Sequence, residues 1–105
     1  MKSWFLGLAL AGVSALALTA CGGSAISPDM VQRAQSHDAS ASEATMMKGK
    51  QLFEGKCATC HALPAPASHT AQEWPEWVKK MAPQAKISGD DEKAVLHYLL
   101  GASGG

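Results

Sequence analysis

The sequence has no excess of charge of either sign, few cysteines, and no run in which apolar and polar residues alternate. Its 105 residues include nine Lys or Arg and nine Asp or Glu, so the formal net charge at pH 7 is zero. Domains that bind nucleic acid usually carry a basic excess, and the composition therefore argues against a nucleic-acid partner. Because alternating runs are lacking, no β-strand is expected, and the sequence predicts an all-α fold.

Residues 1–20 have the pattern of a secretory signal peptide. The start is short and weakly basic because of Lys2, and an almost unbroken apolar run from Trp4 to Ala20 ends in small residues. A membrane-spanning helix usually needs about 20 apolar residues, so this run is short for a permanent span. The alternative interpretation is an uncleaved N-terminal anchor.

The four residues Leu18-Thr19-Ala20-Cys21 resemble the lipobox of bacterial lipoproteins. The resemblance implies cleavage before Cys21 and lipidation of its sulfur. Two or more acyl chains give stable attachment to a membrane. The expected location is therefore the bacterial periplasm, with a lipid anchor. No aspartate follows Cys21, and by the same resemblance this favours the outer membrane.

The other two cysteines lie in Cys57-Ala58-Thr59-Cys60-His61. C-x-x-C-H is the pattern of c-type haem attachment, and here the sequence resembles the cytochrome c family. The resemblance implies one haem c, held by thioethers from Cys57 and Cys60, with His61 as the proximal ligand of the iron. A dithiol redox site usually accompanies a βαβ pattern, and a zinc site needs a second pair of ligands. The sequence contains neither.

Three amphipathic helices are expected in the predicted cytochrome c domain, residues 43–101. Apolar residues recur at helical spacing in each of them, and capping or breaking residues mark their ends. The helices are expected at about 41–54, from a capping box that starts at Ser40 to Gly55, then from about 73 to the residue before Pro83, and finally from the Ser88 cap to Gly101.

The segments on either side of this domain are expected to lack regular structure. Residues 21–42 are small and polar, and they are predicted to be a flexible linker with one helical turn after Pro28. About twenty flexible residues have a root-mean-square reach of roughly 25 Å. Met30 and His37, within this linker, are expected to be exposed. Residues 102–105 are predicted to be a disordered tail.

The resemblance extends beyond the haem motif. In small class I cytochromes c an N-terminal helix packs across a C-terminal one, where a glycine and an aromatic residue of the first meet an aromatic residue of the second. Gly49, Phe53 and Tyr98 stand at suitable places for this contact. A carbonyl group in the loop 63–66 is expected to accept a hydrogen bond from Nδ1 of His61, which would fix the tautomer of the ligand.

The resemblance also implies a methionine as the second axial ligand, and Met81 is predicted to be this distal ligand. Met81 lies twenty residues after His61, on the helical stripe that also contains Trp74, Trp77 and Val78. These tryptophans are expected to line the haem pocket, to bond a haem propionate, or to serve as core aromatics.

Other ligands of the sixth position stay open. His69 or His97 would give bis-histidine ligation, although His97 is expected to face solvent or the haem edge. Met46 and Met47 precede Cys57 on the first helix, where a ligand would have to double back around the porphyrin. The last alternative is an open site.

The implied function is electron transfer by a carrier, not catalysis. Nothing in the sequence resembles a general base or a substrate pocket, so no small-molecule substrate is expected. The partners are unidentified redox proteins and, through the lipid anchor, a membrane. Lys79 and Lys80 form either a docking patch or an ordinary solvated helix face. A haem sensor, a peroxidase-like protein with an open sixth site, and a haem subunit of a larger oxidoreductase are the alternatives.

Overall fold

The computed structural model describes residues 25–59 and 62–103, and in these ranges it contains helices and turns without a β-strand. The described part is all-α, as the sequence predicts. Its elements are the helices α1 (Pro28–His37), α2 (Glu43–Gly55), α3 (Trp74–Ala85) and α4 (Gly89–Ala102), and two short 3-10 turns at Cys57–Thr59 and Pro66–Ser68.

The centre of the fold is the contact between α2 and α4. A β-carbon on Gly49 would collide with the backbone of Ala94, so the two helices meet more closely there than any other residue would allow. Next to this contact, the rings of Phe53 and Tyr98 lie 5.9 Å apart, centroid to centroid. The contact predicted from Gly49, Phe53 and Tyr98 is confirmed.

The first helix, α1, lies where the sequence analysis expected a flexible linker with a single helical turn. Ser27 caps this helix, and Pro28 occupies its first turn, where a missing N–H is tolerated. Ala34 is fully buried against the rest of the molecule, and Nε of Arg33 donates to the carbonyl oxygen of Gly101 at 3.0 Å. The linker prediction for 21–42 is therefore wrong over 28–37, because α1 is docked on α4.

The exposure predicted for two residues of this segment is half right. His37 is exposed, whereas Met30 is half-buried. Met30 lies where α1 runs against the end of α4, since its carbonyl group would meet a β-carbon placed on Gly101.

Gly101 is not the cap that ends α4. The helix continues to Ala102, and the N–H of Ser103 bonds to the carbonyl oxygen of Leu99 at 2.9 Å. A side chain at Gly101 would collide with the methyl group of Met46 and the backbone of Met30. The glycine therefore permits α1 to approach, and the tail predicted for 102–105 is helical at 102 and buried at 103. Residues 104 and 105 lie outside the described ranges.

The capping box of α2 is formed by a different pair of residues from the predicted one. Ser42 is the N-cap: its hydroxyl accepts from the N–H of Thr45, and the Thr45 hydroxyl accepts from the N–H of Ser42, both at 3.1 Å. Ser40 instead donates to the carboxylate of Asp38 from its hydroxyl, at 2.6 Å, and from its N–H, at 3.0 Å. The predicted pairing of Ser40 with Glu43 is wrong because Asp38 holds Ser40 in the turn after α1.

Helix α3 starts where it was expected but ends three residues later. Thr70 and Glu73 form the reciprocal bonds of a capping box just before it. Pro83 lies inside the last turn, where its missing N–H removes a single helical bond. The chain then leaves the helix at Lys86, which has a φ of 61°, and the N–H of Ile87 bonds to the carbonyl oxygen of Ala82 at 3.0 Å.

Candidate functional site

Two of the five residues predicted to hold a haem or a lipid lie within the described ranges. These are Cys57 and Met81. Cys21, Cys60 and His61 lie outside them, so the predicted thioether of Cys60, the proximal ligand His61 and the lipidation of Cys21 have no structural description.

Cys57 opens the 3-10 turn that directly follows α2. It is half-buried and packs against the apolar core. The turn contacts both α2, the helix with the Gly49 contact, and α3, the helix with Met81. A half-buried thiol beside an apolar core is suited to attachment of an apolar group.

Met81 lies on α3 at the end of the predicted stripe. Along this stripe Trp74 and Val78 are buried, whereas Trp77 and Met81 are half-buried. The pattern of burial confirms that the stripe faces the interior. Met81 is thus partly accessible, and it lies on the helix that contacts the Cys57 turn.

Trp74 ties the loop before α3 to the core. Its ring is fully buried and meets Phe53 edge to face, with centroids 6.4 Å apart. Its indole N–H donates to the carbonyl oxygen of Pro66 at 2.9 Å. This N–H is thus used within the protein, so Trp74 serves as a core aromatic, and the suggested bond from its N–H to a haem propionate is not supported.

His69 lies against the same aromatic group. Its ring meets Trp74 edge to face at 4.7 Å between centroids and lies 6.1 Å from Trp77. Its Nδ1 is 3.7 Å from the carboxylate of Glu73, and its side chain is 32 % exposed. His69 is thus partly accessible and stays an alternative to Met81 as a ligand.

The lysines suggested as a docking patch lie on the exposed side of α3. Lys79 and Lys80 are both exposed. Lys80, however, borders a shallow groove together with Glu73, Glu76, His69 and Trp77. The surface around Lys80 is therefore of mixed charge, not a basic patch.

His97 is buried, contrary to the expectation that it faces solvent or a haem edge. It is 1 % exposed. Its Nε2 lies 2.9 Å from Oδ2 of Asp38, and its Nδ1 lies 3.0 Å from Oγ1 of Thr45. Because both ring nitrogens have hydrogen-bonding partners, the structure argues against His97 as an iron ligand.

This polar cluster, Asp38–His97–Thr45, joins three helices. Asp38 caps the end of α1, Thr45 belongs to the capping box of α2, and His97 lies on α4. The Asp38 carboxylate has hydrogen bonds with the hydroxyl of Ser40, with His97 and with the N–H of Ser40, in decreasing order of their effect. These bonds hold the pKa of Asp38 well below its ordinary value. Sequence analysis missed the cluster, because none of its members follows a recognisable spacing.

The two remaining methionine alternatives differ in burial. Met46 is fully buried and its methyl group packs near Gly101, at the α1 side of the fold, which argues against a role as ligand. Met47 is half-buried and packs against the core.

Over 25–59 and 62–103, no group of three or more His, Cys, Asp and Glu side chains is arranged to hold a metal ion. Within the same ranges, no helix combines the length and the apolar character that crossing a membrane requires. Compared with protein-family models, curated proteins and solved structures, the chain matches none.

Proposed function

We propose that this protein is a mono-haem c-type cytochrome that transfers single electrons while it is attached to a membrane by a lipid on Cys21. The observation that carries the proposal is the C-x-x-C-H motif of the sequence, Cys57 to His61. C-x-x-C-H starts at Cys57, immediately after α2, in a turn that contacts α3.

The packing of the helices supports the same proposal. In small class I cytochromes c, which the sequence resembles, a glycine and an aromatic residue of the helix before the haem motif meet the C-terminal helix. Gly49 and Phe53 make such a contact with α4. Any small helical domain has a core, so this contact supports the proposal less strongly than the motif itself.

The chemistry of the available side chains fits a haem. Cys57 offers a half-buried thiol and Met81 a half-buried thioether. Leu52, Leu63 and Trp77 are partly exposed apolar side chains that pack on the core, and burying such surface against a porphyrin would be favourable. Cys57 and Cys60 would hold the group covalently, and His61 and Met81 would bind its iron.

A bound haem would supply the single-electron chemistry. The protein would hold it in place, exclude water from it and set its potential. A thioether ligand favours the reduced state relative to a second histidine, so Met81 would raise the potential. With both axial positions filled by side chains, small molecules would not reach the iron, and this favours a carrier over an enzyme.

Partners of such a carrier would be redox proteins that dock transiently. Contacts of this kind are small. The mixed charge around Lys80, with Glu73 and Glu76 nearby, favours partners without a strong excess of one charge. The proposed location is the bacterial periplasm, on the surface of a membrane, with the outer membrane favoured by the sequence after Cys21.

The proposal is tested by replacing both cysteines of the motif. In a bacterium that attaches haem c to exported proteins, the wild-type chain is expected to keep its haem absorbance under denaturing conditions. The variant Cys57→Ala/Cys60→Ala is expected to lose it, because no thioether can form. The readout is haem absorbance of the denatured protein together with its intact mass.

Cys21→Ser is the matched control for this experiment. This variant is expected to keep covalent haem, because Cys21 lies outside the haem motif. It is also expected to leave the membrane fraction, because it lacks the sulfur that carries the lipid. An exported and folded wild-type chain without covalent haem would contradict the electron-transfer proposal. A Cys21→Ser variant that stays in the membrane fraction would contradict lipidation and favour the uncleaved anchor.

A further inference from the structure

The folded domain begins much closer to Cys21 than the composition of the chain suggests. Ile26 is 4 % exposed and belongs to the core. The hydroxyl of Ser27 then accepts from the N–H of Met30 at 3.2 Å. The fold therefore starts at Ile26, and four residues, 22–25, separate it from the cysteine proposed to carry the lipid.

Helix α1 is fastened to the domain at several points and does not serve as part of a tether. At its middle Arg33 donates to Gly101 at 3.0 Å, and Ala34 is fully buried. At its end Asp38 bonds to the buried ring of His97 at 2.9 Å. Undocking α1 would expose apolar surface and leave the Asp38 side of His97 without its partner, which is costly for a buried polar group.

The covalent geometry of the chain limits how far the domain can move from the lipid. A fully extended chain spans at most about 3.6 Å per residue, so the Cα atoms of Cys21 and Ile26 can be at most about 18 Å apart. The linker predicted from the sequence would reach farther, to roughly 25 Å on average and more when stretched. The docked helix thus converts a long tether into a short one.

The short tether also selects which end of the domain faces the membrane. Along α1, Met30 lies at Gly101 and Asp38 lies at His97, so α1 and α4 run in opposite directions. The start of α1 therefore lies at the C-terminal end of α4. Gly89, the first residue of α4, lies about 18 Å farther along that helix, at a rise of about 1.5 Å per residue.

We infer that a phospholipid membrane surface is the partner of the end of the domain formed by Ile26, Pro28, Val31, Gln32 and Glu43. These residues line a shallow groove at the start of α1, which we call the tether end. The inference rests on the proposed lipidation of Cys21. The tether end is held at the headgroups, and the start of α4 points away from them.

Charge does not drive this contact. Glu43 in the tether end and Asp29 close to it are exposed acidic residues, and anionic headgroups repel carboxylates. The tether imposes the contact. The domain without its lipid should therefore have no affinity of its own for an anionic bilayer.

The orientation is tested on the lipidated, full-length holoprotein in phosphatidylcholine vesicles that contain a headgroup-attached acceptor dye. A donor dye is placed on Gln32→Cys, at the tether end, or on Asp90→Cys, at the start of α4. Both positions are exposed. Energy transfer from position 32 is expected to exceed that from position 90 by about twofold, because about 18 Å of helix separates the two ends.

A longer tether is the control for this experiment. Insertion of twenty Gly and Ser residues between Ser24 and Ala25 is expected to abolish the difference between the two positions. Equal transfer from both positions with the natural tether would overturn the inference while leaving lipidation and electron transfer intact. A wild-type chain that does not enter vesicles would instead overturn lipidation, and the inference with it. Binding of the Cys21→Ser variant to phosphatidylserine vesicles would overturn the conclusion that the tether imposes the contact.

Discussion

At the scale of single residues, the arrangement around His97 shows how a buried histidine can satisfy both of its nitrogens. The hydroxyl of Thr45 lies within reach of Nδ1 of His97 and of the carbonyl oxygen of Ser42, at 3.0 and 3.1 Å. With a neutral ring that carries its proton on Nε2, Thr45 donates to Nδ1. With a charged ring, Nδ1 donates to Thr45, whose hydroxyl turns to Ser42. The carboxylate of Asp38 accepts from Nε2 in both cases.

The lowered pKa of Asp38 makes a prediction about stability and pH. A carboxyl group whose pKa is lower in the folded state stabilises the fold above its unfolded pKa, which is about 3.9 for aspartate. This contribution decreases as the pH falls below the unfolded pKa, because the unfolded chain then binds a proton that the folded protein does not yet bind. We therefore expect the wild-type protein to lose more free energy of unfolding between pH 7 and pH 3 than the variant Asp38→Asn does.

The measurement is urea unfolding of the holoprotein at both pH values, followed by far-ultraviolet circular dichroism. Asp29→Asn is the matched control, because Asp29 is exposed in the first turn of the same helix. Between pH 7 and pH 3, the loss of free energy of unfolding in Asp29→Asn is expected to be closer to that of the wild type than the loss in Asp38→Asn is. An equal loss of stability in the wild type and in Asp38→Asn would contradict the account of this cluster.

The residue-scale predictions from the sequence succeeded where a helical stripe determined burial and failed where distant polar groups did. Trp74 and Val78 are buried as their spacing predicts. His97, on the last helix, was expected to face solvent or the haem edge, but it is buried. Its partners Asp38 and Thr45 lie on other helices, and sequence periodicity contains no information about such pairing.

At the scale of helices, the contact of α2 with α4 depends on the absence of a side chain at Gly49. The variant Gly49→Ala gains about 1 kcal/mol of helix propensity. The new methyl group would nevertheless collide with the backbone of Ala94, and overpacking of this kind costs about 1–3 kcal/mol or more. Backbone atoms cannot move out of the way as a flexible side chain can. We therefore expect Gly49→Ala to lower the free energy of unfolding by about 1–2 kcal/mol.

Gly55→Ala is the control for this prediction, because no atom lies within 4 Å of a β-carbon placed there. That variant is expected to be as stable as the wild type or more stable by up to about 1 kcal/mol. Both are compared by urea unfolding of the holoprotein. A Gly49→Ala variant as stable as Gly55→Ala would show that α2 and α4 do not need this close approach.

Sequence patterns predicted which helices exist in the domain better than where they end. The three helices expected between 43 and 101 are present. Pro83 was expected to stop α3, yet a proline in a last turn removes just one hydrogen bond. Gly101 was expected to end α4, yet it lies inside the helix where α1 approaches. A glycine has the same appearance in a sequence whether it serves as a cap or as a point of close contact.

At the scale of the whole molecule, α1 changes the boundary of the folded unit. Over residues 25–59 and 62–103 the fold begins at Ile26, not at 43, and four helices surround the core instead of three. The small polar residues around α1 suggested a linker, because local composition shows no partner for a weakly apolar helix. That partner is the C-terminal half of α4, which is distant in sequence. Helix α1 adds the buried Ala34 to the core, and Met30 and Val31 pack against it.

The extra helix also changes what the protein can reach. A domain on a long tether could move across the space between two membranes. If Cys21 is lipidated as proposed, a domain held by four residues beside its lipid would exchange electrons with partners at the same membrane surface. The placement of α1 thus connects the packing of the fold to the kind of partner that the proposed cytochrome would serve.

The central claim, a haem whose iron is bound by His61 and Met81, is tested most directly by the optical spectrum of the oxidised holoprotein. We expect the weak long-wavelength band of a methionine–iron bond, and we expect this band to resist added imidazole. In Met81→Ala the band should disappear and imidazole should bind rapidly, whereas the control Met47→Ala should keep the band. A wild-type spectrum without the band, together with rapid binding of imidazole, would contradict the account and indicate an accessible iron suited to sensing or catalysis.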